Sequence, residues 1–160
     1  MGDRYPAEIH IGGPVPQTTV HDLIEAILAE RASLEDYGCP PASQQQLTES
    51  LQAGTVLTLF DDQASGGQFE GLEAFLAGHG IHFERHSDAY CEFDAENIHY
   101  RGTGKPLVML ADQAGNDVVR CQEILEILDS PADGTTKLAA VRSLAAPPQA
   151  TPLTPIQLTG

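Results

Sequence analysis

Alternating apolar and polar residues divide this chain into short strands. The pattern predicts one sheet built from strands over residues 7–11, 55–60, 81–86, 90–94, 98–101 and 107–111. Residues 55–60 are so rich in β-branched and apolar side chains that we expect them to form a central strand.

Apolar residues at helical spacing predict helices between these strands. A capping signal at Thr19 begins the first helix, and a capping box at Ser43 begins a second, which Gly54 ends. Two further amphipathic helices are expected over residues 69–76 and 118–128. Helices therefore interrupt the early strands, whereas the later strands follow one another directly.

This element order predicts an α+β fold. We expect a mostly antiparallel sheet with a three- to four-stranded meander and helices packed on one face, in a single domain over residues 1–130. Residues 131–160 contain five of the eleven prolines and a single acidic residue. Apart from a short helix over residues 137–144, we expect them to form a flexible Pro/Thr-rich tail, or a docking peptide that orders on a partner.

Acidic residues dominate the charge. The formal net charge is −15, and residues 61–101 carry nine acids against two bases. Such a surface is expected to bind neither nucleic acid nor an anionic membrane directly, because phosphates are bound by Lys and Arg. It keeps the chain soluble and is suited to a protein partner, including a basic one.

Composition also bears on location. No apolar run approaches the roughly 20 residues that span a bilayer, and residues 1–6 lack the apolar core of a signal peptide. The three cysteines, Cys39, Cys91 and Cys121, are far apart and odd in number, which favours a reducing compartment. The sequence therefore predicts a cytoplasmic protein, with Cys91 and Cys121 packed on apolar faces.

The segment over residues 81–101 holds the candidate site. Pairing Phe83 with Phe93 places Ile81, Phe83, Cys91 and Phe93 on one face, and a one-residue slip would expose half of them. The opposite face then carries the candidate side chains His82, Glu84, His86, Tyr90, Glu92, His99 and Arg101. Glu84, Glu92 and His99 form one cross-strand row, whose Cβ atoms we expect about 4.5–5.5 Å apart.

Three interpretations of this face stay open. Alternating His, Glu and Tyr is typical of the solvent-facing side of an antiparallel sheet. The same row could instead hold zinc or another first-row metal, or a histidine beside carboxylates could act as a general acid or base. No HExxH motif or Cys/His spacing supports a metal, so neither a metal nor a cofactor is expected.

The sequence favours a non-catalytic protein-interaction or regulatory module, because charge is abundant and catalytic motifs are lacking. One alternative is a metal- or small-ligand-binding enzyme that uses the polar face of residues 81–101. Another is a DNA-mimic inhibitor of a nucleic-acid-binding protein, in which carboxylates stand in for phosphates.

Overall fold

The computed structural model describes residues 3–160. Met1 and Gly2 lie outside the described residues, although the predictions for residues 1–6 and for the domain over residues 1–130 include them. Eight strands follow along the chain: β1 (Arg4–Gly12), β2 (Pro14–Pro16), β3 (Leu57–Ser65), β4 (His82–Ser87), β5 (Glu96–Tyr100), β6 (Leu107–Ala111), β7 (Asp117–Val118) and β8 (Gln157–Thr159). Short 3-10 turns occupy Gln17–Thr19 and Pro148–Ala150.

Five helices accompany these strands: α1 (Val20–Glu30), α2 (Gln44–Ala53), α3 (Glu70–Gly78), α4 (Cys121–Asp129) and α5 (Gly134–Ala145). The capping box predicted at Ser43 is present, and Gly54 ends α2 in the left-handed conformation. Thr19 precedes α1 without a side-chain cap. Within residues 3–160, no helix combines the length and the apolarity needed to cross a membrane.

Six strands form one antiparallel sheet in the order β3-β1-β4-β5-β6-β7, which confirms the α+β class and the meander. The prediction that residues 55–60 form a central strand is wrong. β3 lies at the edge of the sheet, where a bridge between Ser33 and Phe60 covers its outer side. Apolar composition indicated burial correctly, because Leu57 and Leu59 lie in the hydrophobic core, but burial does not determine strand order.

One face of the sheet carries the hydrophobic core. Alternate residues of β1, including Ile9 and Ile11, are fully buried together with Leu59 of β3 and Phe83 of β4. The helices contribute buried leucines and isoleucines at helical spacing, such as Leu23 of α1. The opposite face of the same strands is therefore free to carry polar side chains.

The hairpin register differs from the prediction. Phe83 pairs with Tyr100 rather than Phe93, and residues 88–95 form a loop instead of a strand. Within that loop, Tyr90 and Phe93 exchange backbone hydrogen bonds around Cys91, whose φ of 51° is left-handed. Phe93 and Cys91 are consequently exposed, as is Cys121, so the predicted packing of both cysteines is wrong. β5 occupies the place beside β4 that the predicted strand over residues 90–94 needed, so these residues form a tight turn instead.

The C-terminal third has a different character from the rest. No residue from 101 to 155 is buried, although this stretch includes β6, α4 and α5. Beyond it, Ile156 is buried in the core and β8 pairs in parallel with β2. The segment expected to be a flexible tail thus carries α5 and β8; its flexibility stays a prediction.

Candidate functional site

The polar face of the sheet is built by register. Antiparallel pairing brings partners onto the same face, so two polar rows cross β1, β4 and β5. The first row contains Glu8, His86 and Asn97, and the second contains His10, Glu84 and His99. Three histidines and two glutamates therefore alternate across three neighbouring strands.

These rows line a cleft rather than an open sheet. The turn over residues 114–117 and the segment over residues 150–152 stand beside the polar face and enclose a half-open space of about 450 Å³. The predicted candidates Glu84, His86 and His99 lie on its wall, joined by Glu8, His10 and Asp117.

His99 lies at the centre of the charged network. Its Nε2 is 2.9 Å from Asp117 Oδ1, and its Nδ1 is 3.4 Å from Glu84 Oε1 without an aligned hydrogen bond. Arg101 donates to Glu84 from the other side and also to the backbone carbonyl of Thr151. One buried imidazole thus stands between two carboxylates, and one of these also binds a guanidinium.

Opposing effects set the proton affinities here. Burial by itself would lower the pKa of His99, but the carboxylates of Glu84 and Asp117 outweigh it and raise the pKa above its usual value of 6.5. Burial would likewise raise the pKa of Glu84, yet His99 and Arg101 hold that pKa below 4.5. The contact is therefore strongest when the histidine is protonated and the glutamate ionised.

The other two histidines in the cleft are also engaged on both nitrogens. His86 contacts Asn97 Oδ1 at 2.7 Å and Asp88 at 3.4 Å. His10 lies 2.9 Å from the Thr58 hydroxyl and 3.2 Å from Glu8. The hydrogen bond from His10 lowers the pKa of Glu8 against the opposing effect of burial.

These contacts of the ring nitrogens limit acid–base catalysis and metal binding by the cleft histidines. A general base needs a free nitrogen within reach of a substrate proton, and a metal needs several unshared ligands. Each cleft histidine would have to leave a carboxylate, an amide or a hydroxyl first. No group of three His, Cys, Asp or Glu side chains across residues 3–160 has an arrangement able to hold a metal ion.

The structure separates the remaining predicted candidates from this network. Glu92 is exposed in the loop before β5, and Tyr90 stacks on Tyr5 with ring centroids 5.4 Å apart. His82 packs against Gly102, where an added Cβ would lie 2.8 Å from its Nε2. Burial and the charge of Arg101 lower the pKa of His82.

Four cleft residues were missed by the sequence reasoning: Glu8, His10, Asn97 and Asp117. The alternation over residues 7–11 could have identified Glu8 and His10, because both fall on the polar side of a predicted strand. Asn97 donates to Asp117 Oδ1 at 2.8 Å, but β7 is only two residues long and gives no periodic signal.

A second charged cluster lies on the core side. Arg85 is 1% exposed; it donates to Ser87 at 2.7 Å and Glu96 at 2.6 Å, and its Nε is 3.0 Å from Glu73. Burial raises the pKa of Glu73, while Arg85 opposes that rise. The guanidinium thus donates two hydrogen bonds, and its buried Nε makes an ion contact with Glu73 without an aligned hydrogen bond, so this cluster joins α3 to the sheet.

The C-terminal helices present apolar side chains to solvent. Cys121, Ile124, Leu125 and Leu128 recur on one side of α4, and we call them the α4 stripe. None of them is buried, and Leu125 and Leu128 are 50% and 49% exposed. Leu138 of α5 is 53% exposed as well. An amphipathic helix whose apolar side faces water lacks the packing that normally stabilises it.

Comparisons with protein-family models, with curated proteins and with solved structures gave no match to this chain.

Proposed function

We propose that this protein is a non-catalytic protein-interaction module and that the α4 stripe is part of its contact surface. The supporting observation is that a periodic apolar stripe stays exposed inside a stretch, residues 101–155, that buries no side chain. Exposed apolar surface of this kind is typical of interaction sites. His10 and His86, whose ring nitrogens all contact other side chains, support a role without catalysis.

Position-specific photo-cross-linking in the source cells tests this proposal. A photoreactive residue at position 125 should give an adduct with a protein, and the adduct's mass identifies the partner. The matched control is position 158, because Leu158 is also exposed (37%) but lies on β8, away from α4. A folded protein that gives no adduct at positions 125 and 128 would rule out the stripe as a contact surface.

A second candidate function, binding of a small organic cation, is favoured by the cleft. Glu8, Glu84 and Asp117 place three carboxylates on its wall, and Arg101 contacts only Glu84. The buried Nδ1 of His99 also lacks an aligned hydrogen-bond partner among the described residues. A ligand ammonium would bind the carboxylates, and a hydroxyl group on the same ligand would reach Nδ1 once Glu84 turned toward the ammonium.

Ethanolamine is the appropriate probe for this second candidate. Titration should give saturable NMR shifts of the histidine ring protons, with the largest shift at His99, and Glu84→Gln should weaken the binding several-fold. Matched titration with sodium chloride gives the contribution of ionic strength. Shifts that grow linearly with ethanolamine and equal those from salt would contradict a ligand site.

A further inference from the structure

The charges on the two C-terminal helices differ in sign. α4 carries three acidic residues and no basic one, whereas α5 carries Lys137 and Arg142 and no acidic one. We infer that the α4 stripe is covered by a second copy of this chain, with α4 of each copy against α5 of the other. This inference rests on the proposed interaction function and names its partner.

Twofold symmetry makes this arrangement self-complementary. In an isologous contact, each residue pair occurs twice, so α4 of one copy meets α5 of the other at two equivalent places. Within one chain α4 also packs on α5, with Glu123 and Glu126 on the side of Lys137. The charges that can pair between copies, at both places, are therefore Asp129 of α4 and Arg142 of α5. The α4 stripe and Leu138 would pack between the helices, at the interaxial spacing of roughly 8–10 Å usual for packed helices.

The distribution of charge over the whole chain also favours a second copy. Residues 101–155 contain six acidic and five basic residues, while the rest of the chain contains 17 acidic and three basic. Contact through the nearly neutral part avoids bringing the two acidic parts of the copies together. A strongly basic partner would instead be attracted to the acidic remainder and not to α4 and α5.

Sedimentation equilibrium of the full chain gives the first test. Between about 1 and 100 µM, the mass should approach twice the 17.1 kDa of one chain. Leu125→Asp should raise the dimer dissociation constant by about 100-fold or more, because the residue occurs twice in the contact. The matched control Leu158→Asp should leave the constant within about threefold.

Charge reversal tests the pairing itself. Arg142 and Asp129 are exposed and make no ion pair within residues 3–160. Each lies one helical turn beyond an exposed leucine, Leu138 on α5 and Leu125 on α4. Lys137 is less suitable, because its ammonium donates to the Leu128 carbonyl at 2.6 Å and caps α4. Asp129→Lys and Arg142→Glu should each weaken self-association about tenfold at low salt.

Mixing the two variants should restore association, because the lysine at position 129 of one chain then meets the glutamate at position 142 of the other, while Asp129 and Arg142 meet at the second place. Circular dichroism and urea unfolding establish that both variants fold. A monomer at every concentration, or a dimer unaffected by Leu125→Asp, would overturn the inference, as would a failure of mixing to restore the dimer. If position 125 then gave adducts with a different protein, the proposed interaction function would still hold without self-association. If it gave no adduct at all, both the interaction function and the self-association would be contradicted.

Discussion

A single buried cation shows how individual residues shape this fold. Arg85 lies on the core face of β4 between Phe83 and Ser87, where hydrophobic alternation predicts an apolar residue. It is accommodated because Glu73 and Glu96 approach it from α3 and β5. Removing one partner of such a cluster leaves a buried charge without compensation, which costs more than the pair itself contributes.

We therefore expect Arg85→Met to lower the free energy of unfolding by about 3–5 kcal/mol in urea titrations. Adding Glu73→Gln to that variant should recover part of the loss, because the orphaned carboxylate is then neutral. Glu96→Gln alone should cost less, since Glu96 is about one-third exposed. Equal losses for all three variants would show that packing, and not charge, determines the effect.

His99 links stability to pH. Its folded pKa lies above 6.5, so its contribution is complete below that pH and is lost as the pH rises through the folded pKa. Glu84, whose folded pKa lies below 4.5, contributes above pH 4.5 and loses that contribution as the pH falls through its folded pKa. The pair is therefore most stabilising between about pH 4.5 and 6.5.

The corresponding experiment compares the wild type with His99→Gln, which keeps a hydrogen-bond donor but removes the charge. The variant should be less stable by about 1–2 kcal/mol at pH 6. The difference should shrink as the pH rises towards 9, measured by urea unfolding at each pH. His79→Gln is the control, because His79 is exposed and has no carboxylate partner within residues 3–160; its ring stacks on Phe75 and contacts the Phe75 carbonyl. A difference independent of pH would contradict an ionised His99.

At the scale of elements, the periodicity of the sequence predicted whether a segment is a helix or a strand better than it predicted which strands pair. The capping box at Ser43 and the stripe of α3 fix helices locally, through contacts three or four residues apart. Strand pairing depends on distant partners, and two registers bury Phe83 equally well. The predicted register paired it with Phe93; in the structure Tyr100 takes that place, and the displaced residues form the loop before β5.

That loop makes the Cys91 thiol accessible. In a Cys39→Ser/Cys121→Ser background, Cys91 should react with a thiol reagent in the folded state nearly as fast as in urea, within about tenfold. Cys91→Gly should not reduce stability, since the left-handed φ of 51° costs a non-glycine residue about 1 kcal/mol. Protection of Cys91 by orders of magnitude would instead support the strand over residues 90–94.

At the scale of the whole molecule, the fold class followed from element order, whereas the site did not. The cleft unites side chains from β1, β4, β5 and β7 with a segment near residue 150. Only the β4 and β5 residues could be related from sequence, because a hairpin is local. Asp117 and the C-terminal segment come from elements too short or too rich in proline to give a periodic pattern.

Ile156 anchors the C-terminal segment. It is 4% exposed in the core, and its N–H donates to the carbonyl of Thr55 at 3.3 Å. Ile156→Ala should cost about 2–4 kcal/mol in urea unfolding, while Leu158→Ala on exposed β8 should cost less than about 0.5 kcal/mol. If both cost little, the flexible tail expected from composition would be the better description of this segment.

The parallel pair of β2 and β8 joins positions about 140 residues apart through three residues on each strand. Closing so long a loop costs conformational entropy, and three residue pairs provide few hydrogen bonds to offset that cost. We therefore expect this pair to be one of the first to open in local unfolding. Residues 150–152 lie just before β8 and form part of the cleft wall. Opening of β8 would also loosen the hold of Arg101 on Thr151. The part of the cleft wall at residues 150–152 should therefore become more mobile whenever this strand pair, which lies outside the cleft, opens.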